Sequence, residues 1–152
     1  MKLRTFLILL AAVVLFIWGH SLVPLTSSAE ESMSVMKILQ SVLDFLNIPV
    51  TLTDHFVRKL AHFIEYAAAG AVIGAYSYPH IFTAPDLREK IETGALPLVF
   101  GFFIGFIDET IQIFSGRGSA IEDVWLDFAG LSFGAALSFG VILLLRRRQR
   151  RN

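Results

Sequence analysis

The chain of 152 residues has no cysteine, so neither a disulfide framework nor thiol chemistry is available to it. It is also poor in charge. Only 17% of its residues are Asp, Glu, Lys or Arg, against about 25% in an ordinary soluble domain. That shortage excludes a solvated, charge-rich surface over most of the fold. What fills the gap is apolar: 55% of residues are hydrophobic, 14 of them Phe, and the mean hydropathy is +0.64. Long apolar runs with few charges indicate a membrane protein.

A span needs about 20 apolar residues. Four stretches qualify, at about 5–22, 60–81, 94–114 and 124–145. The expected fold is therefore all-α, a single membrane domain of four transmembrane helices. The formal net charge of zero hides an asymmetry, because the last seven residues, RRRQRRN, hold five arginines. Beside an apolar helix such a tail reads as a cytoplasmic anchor rather than a nucleic-acid contact. Lys2 and Arg4 precede the first span, and Arg88 and Lys90 lie between the second and third. All three basic sets are cytoplasmic if both termini are inside, which predicts a multi-pass cell-membrane protein with cytoplasmic ends. The first span also resembles a signal peptide, with Ser27-Ser28-Ala29 after its apolar core. Its cleavage would leave three spans in the same orientation. Between Val23 and Val57, Met36, Leu39, Leu43 and Leu46 recur at helical spacing and predict a short amphipathic helix, at the membrane surface or over the bundle.

Ionisable residues interrupt three of the spans at one level. With a helical rise of about 1.5 Å per residue, Glu65, Asp108 and Glu109 lie roughly 10 Å below the outer surface, Asp127 roughly 6 Å below Asp123, and Gln112 is shallower. Arg58, His62, Glu65 and Ala69 share a face, with Lys59 and Tyr66 beside it. Gly101, Gly105, Asp108 and Gln112 share another, as do Asp123, Asp127, Gly130 and Gly134. Glycines four apart allow close helix approach, so these stripes are expected at helix contacts. Arg58, Lys59 and Arg117 fall on the outer side, against the charge rule. Snorkelling, or salt bridges that register the helices, would account for single residues. Five acids facing three nearby cations exceed what registration needs, and ionisable groups at such depth cost about 2.5–3.5 kcal/mol each near the bilayer centre.

Three chemistries remain open. Intramembrane carboxylates and His serve proton or ion handling. One imidazole with many carboxylates can hold a divalent metal, although no strong metal-ligand spacing is present. Arg58, Lys59 and Arg117, with Tyr66 and Gln112, could hold an anionic lipid-linked headgroup while His62, Glu65, Asp108, Glu109, Asp123 and Asp127 supply acid–base groups. A non-catalytic accessory or scaffold protein is the alternative.

The blocks RKLAHFIEY, DETIQIF and GRGSAIEDVWLDFAGLSFG, in that order, resemble the VanZ-like family of small bacterial polytopic membrane proteins. The resemblance covers about 58–134 and carries Arg58-Lys59, His62, Glu65-Tyr66, Asp108-Glu109, Gln112, Phe114, Gly116-Arg117, Asp123-Val124, Asp127, Gly130 and Gly134. It implies a cell-envelope role, since the founding member is linked to low-level teicoplanin resistance. It implies no particular reaction.

Overall fold

The computed structural model describes residues 1–23, 25–114 and 121–150, of which 25–28, 30 and 31 are described by their backbone alone. Among these residues every regular element is helical. Helix α1 is Leu3–Ser21, α2 Leu25–Phe45, α3 Asp54–Thr83, α4 Leu87–Lys90, α5 Leu96–Phe114 and α6 Ile121–Gln149, and a π-helical turn, Ile91–Ala95, joins α4 to α5.

Three described segments are long and apolar enough to cross a membrane: Leu3–Ser21, Leu87–Phe114 and Ile121–Gln149. They match the first expected span to within a residue at its end and contain the third and fourth. The second falls inside α3, whose 30 residues suffice in length but which is not among the segments that pass on composition. Exposure runs opposite to that of a soluble protein. Phe100, Phe103, Phe106, Ile113, Phe133 and Leu144 are exposed, while Asp108, Glu109, Gln112 and Asp127 are buried. Water would penalise both halves of that arrangement, and lipid favours both.

The core of the bundle is the contact between α3 and α6, and glycine makes it. A Cβ at Gly134 would run into the backbone of Ala67, and one at Gly70 into the backbone of Leu131. Gly130 faces Phe63 O at 2.5 Å from such a Cβ, and Gly74 faces Ala135 O at 2.7 Å. The two helices are therefore parallel and nearly in backbone contact, held by dispersion rather than by burial from water. Helix α1 runs the other way along α3. The Phe6 ring stacks on Tyr76 with centroids 4.1 Å apart, and His20 reaches Glu65 at the opposite end. Arg146 lies 5.1 Å above the Tyr78 ring. The first turn of α1 and the last turns of α6 thus sit at the same end of α3.

The other end of α3 is shaped by α2, which is longer than the short helix the spacing predicts. Met36, Leu39 and Leu43 are half-buried, as an amphipathic helix requires, but Leu46 is exposed beyond the helix. Asn47, at φ 54°, closes α2: its N–H donates to Asp44 O, and the Ile48 N–H to Leu43 O. This left-handed cap is one that Asn tolerates and β-branched residues do not. Gln40 then pins the returning strand of chain, donating to Val50 O and accepting from the Leu52 N–H. Thr53 caps α3 by accepting from the Phe56 N–H at 3.2 Å, and Ser32 of α2 hydrogen-bonds Asp54 in the first turn. These ties fix where α3 begins, and hence which way Arg58 and His62 face.

Candidate functional site

Four side chains from three helices converge at the capped end of α3. His62 comes from α3, Asp108 and Glu109 from α5, and Asp127 from α6, with one N or O atom of each within 4.8 Å of all the others. Asp108 is 0% exposed, Asp127 1% and Glu109 4%. Helix periodicity explains the arrangement. The α5 face that carries Gly101, Gly105, Asp108 and Gln112 is buried throughout, and so are Asp127, Gly130 and Gly134 on α6. Gly105 has a direct part in it. A side chain there would lie 3.3 Å from Asp127 Cβ and 3.6 Å from the Tyr66 ring, so the missing Cβ lets Asp127 close on α5.

Hydrogen bonds organise the α5 acids. The Gln112 amide donates to Asp108 Oδ2 at 3.1 Å and to Glu109 Oε1 at 3.2 Å. The buried Ser21 side chain at the end of α1 lies close to Asp108. Asp127 is different. Neither of its carboxylate oxygens has a hydrogen-bond partner among the described residues. His62 Nδ1 stands 3.8 Å from Asp127 Oδ1 and 3.8 Å from Asp108 Oδ2, beyond hydrogen-bond reach. The Tyr66 hydroxyl is fully buried and also lacks a hydrogen-bond partner among the described residues. Buried carboxylates persist in folded proteins when they are paired or coordinate a metal.

A layer of ion pairs lies above this centre. Lys59 Nζ meets Asp123 Oδ1 at 2.9 Å, and Arg58 Nε meets Asp54 Oδ2 at 3.1 Å. Between the layers is a cavity of about 180 Å³, lined chiefly by Arg58, Lys59, His62, Glu109, Gln112 and Asp123. A second cavity of about 350 Å³ opens between α2 and α3. Its walls are mostly apolar, with Leu39 from α2 and Val57, Leu60, Ala61 and Ile64 from α3, and Arg58 and His62 line it as well. The two side chains are thus a partition with a polar chamber on one side and an apolar groove on the other.

The residues expected from sequence separate into three groups. His62, Asp108, Glu109 and Asp127 form the centre, with Gln112 bracing it and Tyr66 packed beside it. Arg58, Lys59 and Asp123 form the outer layer. Glu65 turns toward α1, where its Oε1 is 2.8 Å from His20 Nδ1. Arg117 lies outside the described residues. Sequence reasoning missed Ser21 and His20, both from the first span, and His55, which lines the polar chamber. His20 carried a signal of its own, as the one ionisable side chain in an apolar run that begins after Arg4.

Apolar helices turned outward around a buried acidic cluster fit a helical membrane protein. The family model VanZ/LLP1 matches residues 6–145, and the chain belongs to that family. The match extends well beyond the three motif blocks and takes in α1. No match was found among curated proteins or solved structures.

Proposed function

We propose that the chain is a four-span protein of the cell envelope, with both termini cytoplasmic, that binds or modifies a phosphate-bearing lipid at the outer face of the membrane. The observation that carries this reading is the shared wall. A headgroup in the polar chamber and an acyl or prenyl chain in the groove would straddle Arg58 and His62. Amphiphiles need such a pair of adjoining spaces, whereas a small polar solute needs only the first. Arg58 and Lys59 are half-buried and already paired with carboxylates, so a phosphate would exchange for Asp54 or Asp123 and keep both cations neutralised. His62 and the acids beneath would supply proton transfer if the bound lipid reacts.

The test is binding of polyprenyl phosphate, presented in zwitterionic vesicles, to the purified chain. Arg58→Ala and Lys59→Ala should each weaken binding about tenfold or more, the loss of one charge-assisted contact. Equal binding by both variants, or no preference for the phosphate lipid over the vesicles alone, would overturn the reading. Turnover in the same mixture would assign modification, and retention without turnover would assign binding. If the lipid is a wall precursor, expression of the chain should lower teicoplanin susceptibility and expression of the Arg58→Ala chain should not.

Orientation has its own test. Asn47→Cys should react with an impermeant thiol reagent added outside intact cells, and Thr83→Cys should not. Both positions are exposed on the protein, and the reverse labelling would put the chamber on the cytoplasmic side.

A further inference from the structure

We infer that His62, Asp108, Glu109 and Asp127 are the ligands of one divalent first-row transition ion. Three observations converge on it. The first is geometric. Two donors on one ion at about 2.0–2.2 Å stand about 3 to 4.4 Å apart. The four side chains place their nearest donors within 4.8 Å of one another, and His62 Nδ1 is 3.8 Å from both aspartates. That separation is too long for a hydrogen bond and right for two ligands with an ion between them.

The second observation is Asp127. It is 1% exposed, is aimed into the cluster, and has no hydrogen-bond partner for either oxygen among the described residues. A buried carboxylate left without hydrogen bonds is costly, and a bound ion would satisfy it where the other three donors converge. The third is charge. Three carboxylates share the space with one imidazole, while the described cations of the outer layer are engaged elsewhere, Lys59 with Asp123 and Arg58 with Asp54. An ion of charge +2 with a neutral His62 removes most of the excess.

The donor set selects among ions. Mg²⁺ and Ca²⁺ prefer sites built wholly of oxygen, and the absence of sulfur disfavours Cu(I). One imidazole nitrogen with three carboxylates suits Zn²⁺, Mn²⁺ or Fe²⁺, with Zn²⁺ bound more tightly than Mn²⁺. Gln112 and Ser21 are then the supports that orient the carboxylates, as outer-shell partners do around bound metals. The polar chamber lies directly above the site through His62 and Glu109, so a phosphate there would be within reach of the ion. The site itself does not depend on the lipid reading and can stand without it.

The experiment uses the full chain in detergent, stripped with a chelator and titrated with Zn²⁺ and with Mn²⁺ by calorimetry. Metal content after dialysis is read by elemental analysis. One ion per chain is expected, with Zn²⁺ bound more tightly. Asp127→Asn and His62→Ala should each weaken binding at least tenfold, and Asp44→Asn, at an exposed acid of α2, should not. Size-exclusion profiles and helical circular dichroism establish that each variant is folded. If Asp127→Asn misfolds, His62→Ala decides the matter alone, because His62 is the less buried of the two. A folded wild-type chain that binds neither ion, or variants that bind as well as wild type, would overturn the assignment. Loss of metal with lipid binding intact would overturn only the link between the two sites.

Discussion

His20 Nδ1 lies 2.8 Å from Glu65 Oε1, joining the last turn of α1 to the fourth turn of α3 across 45 residues of sequence. With Ser21 close to Asp108, it makes α1 part of the polar cluster rather than a separate anchor.

His20→Ala should therefore loosen the bundle. Loss of one partner of a buried hydrogen bond costs about 1–3 kcal/mol. The low end is expected because the His20 side chain is 27% exposed. Thermal unfolding in detergent should show a lower midpoint for His20→Ala and for Glu65→Gln, and the double variant should lose less than the two together. Additive losses would mean that the two groups do not act as a pair.

The glycines of the bundle should differ sharply in their tolerance of a methyl group. Gly134→Ala places a carbon against the Ala67 backbone, and backbone cannot rotate aside. Overpacking of this kind costs about 1–3 kcal/mol. Gly140 has nothing within 4 Å of the same position, so Gly140→Ala should be neutral or slightly stabilising through helix propensity. Unfolding midpoints of the two variants would separate the cases, and equal midpoints would contradict the close contact of α3 with α6.

Tyr66→Phe offers a test of role. The hydroxyl is buried without a hydrogen-bond partner among the described residues, and such a group costs free energy in the folded state. Its removal should leave the unfolding midpoint unchanged or raise it. A drop in metal or lipid affinity without a drop in stability would assign the hydroxyl to the ligand. A clear loss of stability would show that it has a structural partner.

The apolar groove should be separable from the chamber. Ala61 lines the groove and not the polar chamber, so Ala61→Trp is directed at the space between α2 and α3. It should weaken binding of polyprenyl phosphate about tenfold, yet leave Zn²⁺ binding unchanged. Parallel loss of both would indicate a displaced α3, which circular dichroism and unfolding would register.

Much of this arrangement can be read from spacing. Asp108 and Gln112 continue a glycine stripe on α5, and Asp127 heads one on α6, so burial of the acids at helix contacts follows from periodicity alone. The first, third and fourth spans follow from apolar length. α3 does not pass the same compositional measure, because it spends its polarity on the site at one end and on Ser77, Pro79 and His80 at the other. The grouping of the acids was not legible. Glu65 and Asp108 lie at similar depth, but which of them faces His20 and which faces His62 depends on how α1 and α5 rotate about α3. Sequence depth does not contain that angle. The length of α2 was hidden for a related reason. Its Schellman cap at Asn47 marks the end plainly, while the segment after Pro24 carries Thr and Ser that read as loop.

The position of Ser21 and His20 has a consequence for biogenesis. Helix α1 precedes Glu65 and Asp108 in the chain and is made before them. Its polar end must then wait at the water interface for partners that arrive with α3 and α5. Docking of α1 thus depends on helices made after it, and a chain halted before α3 would leave His20 without Glu65.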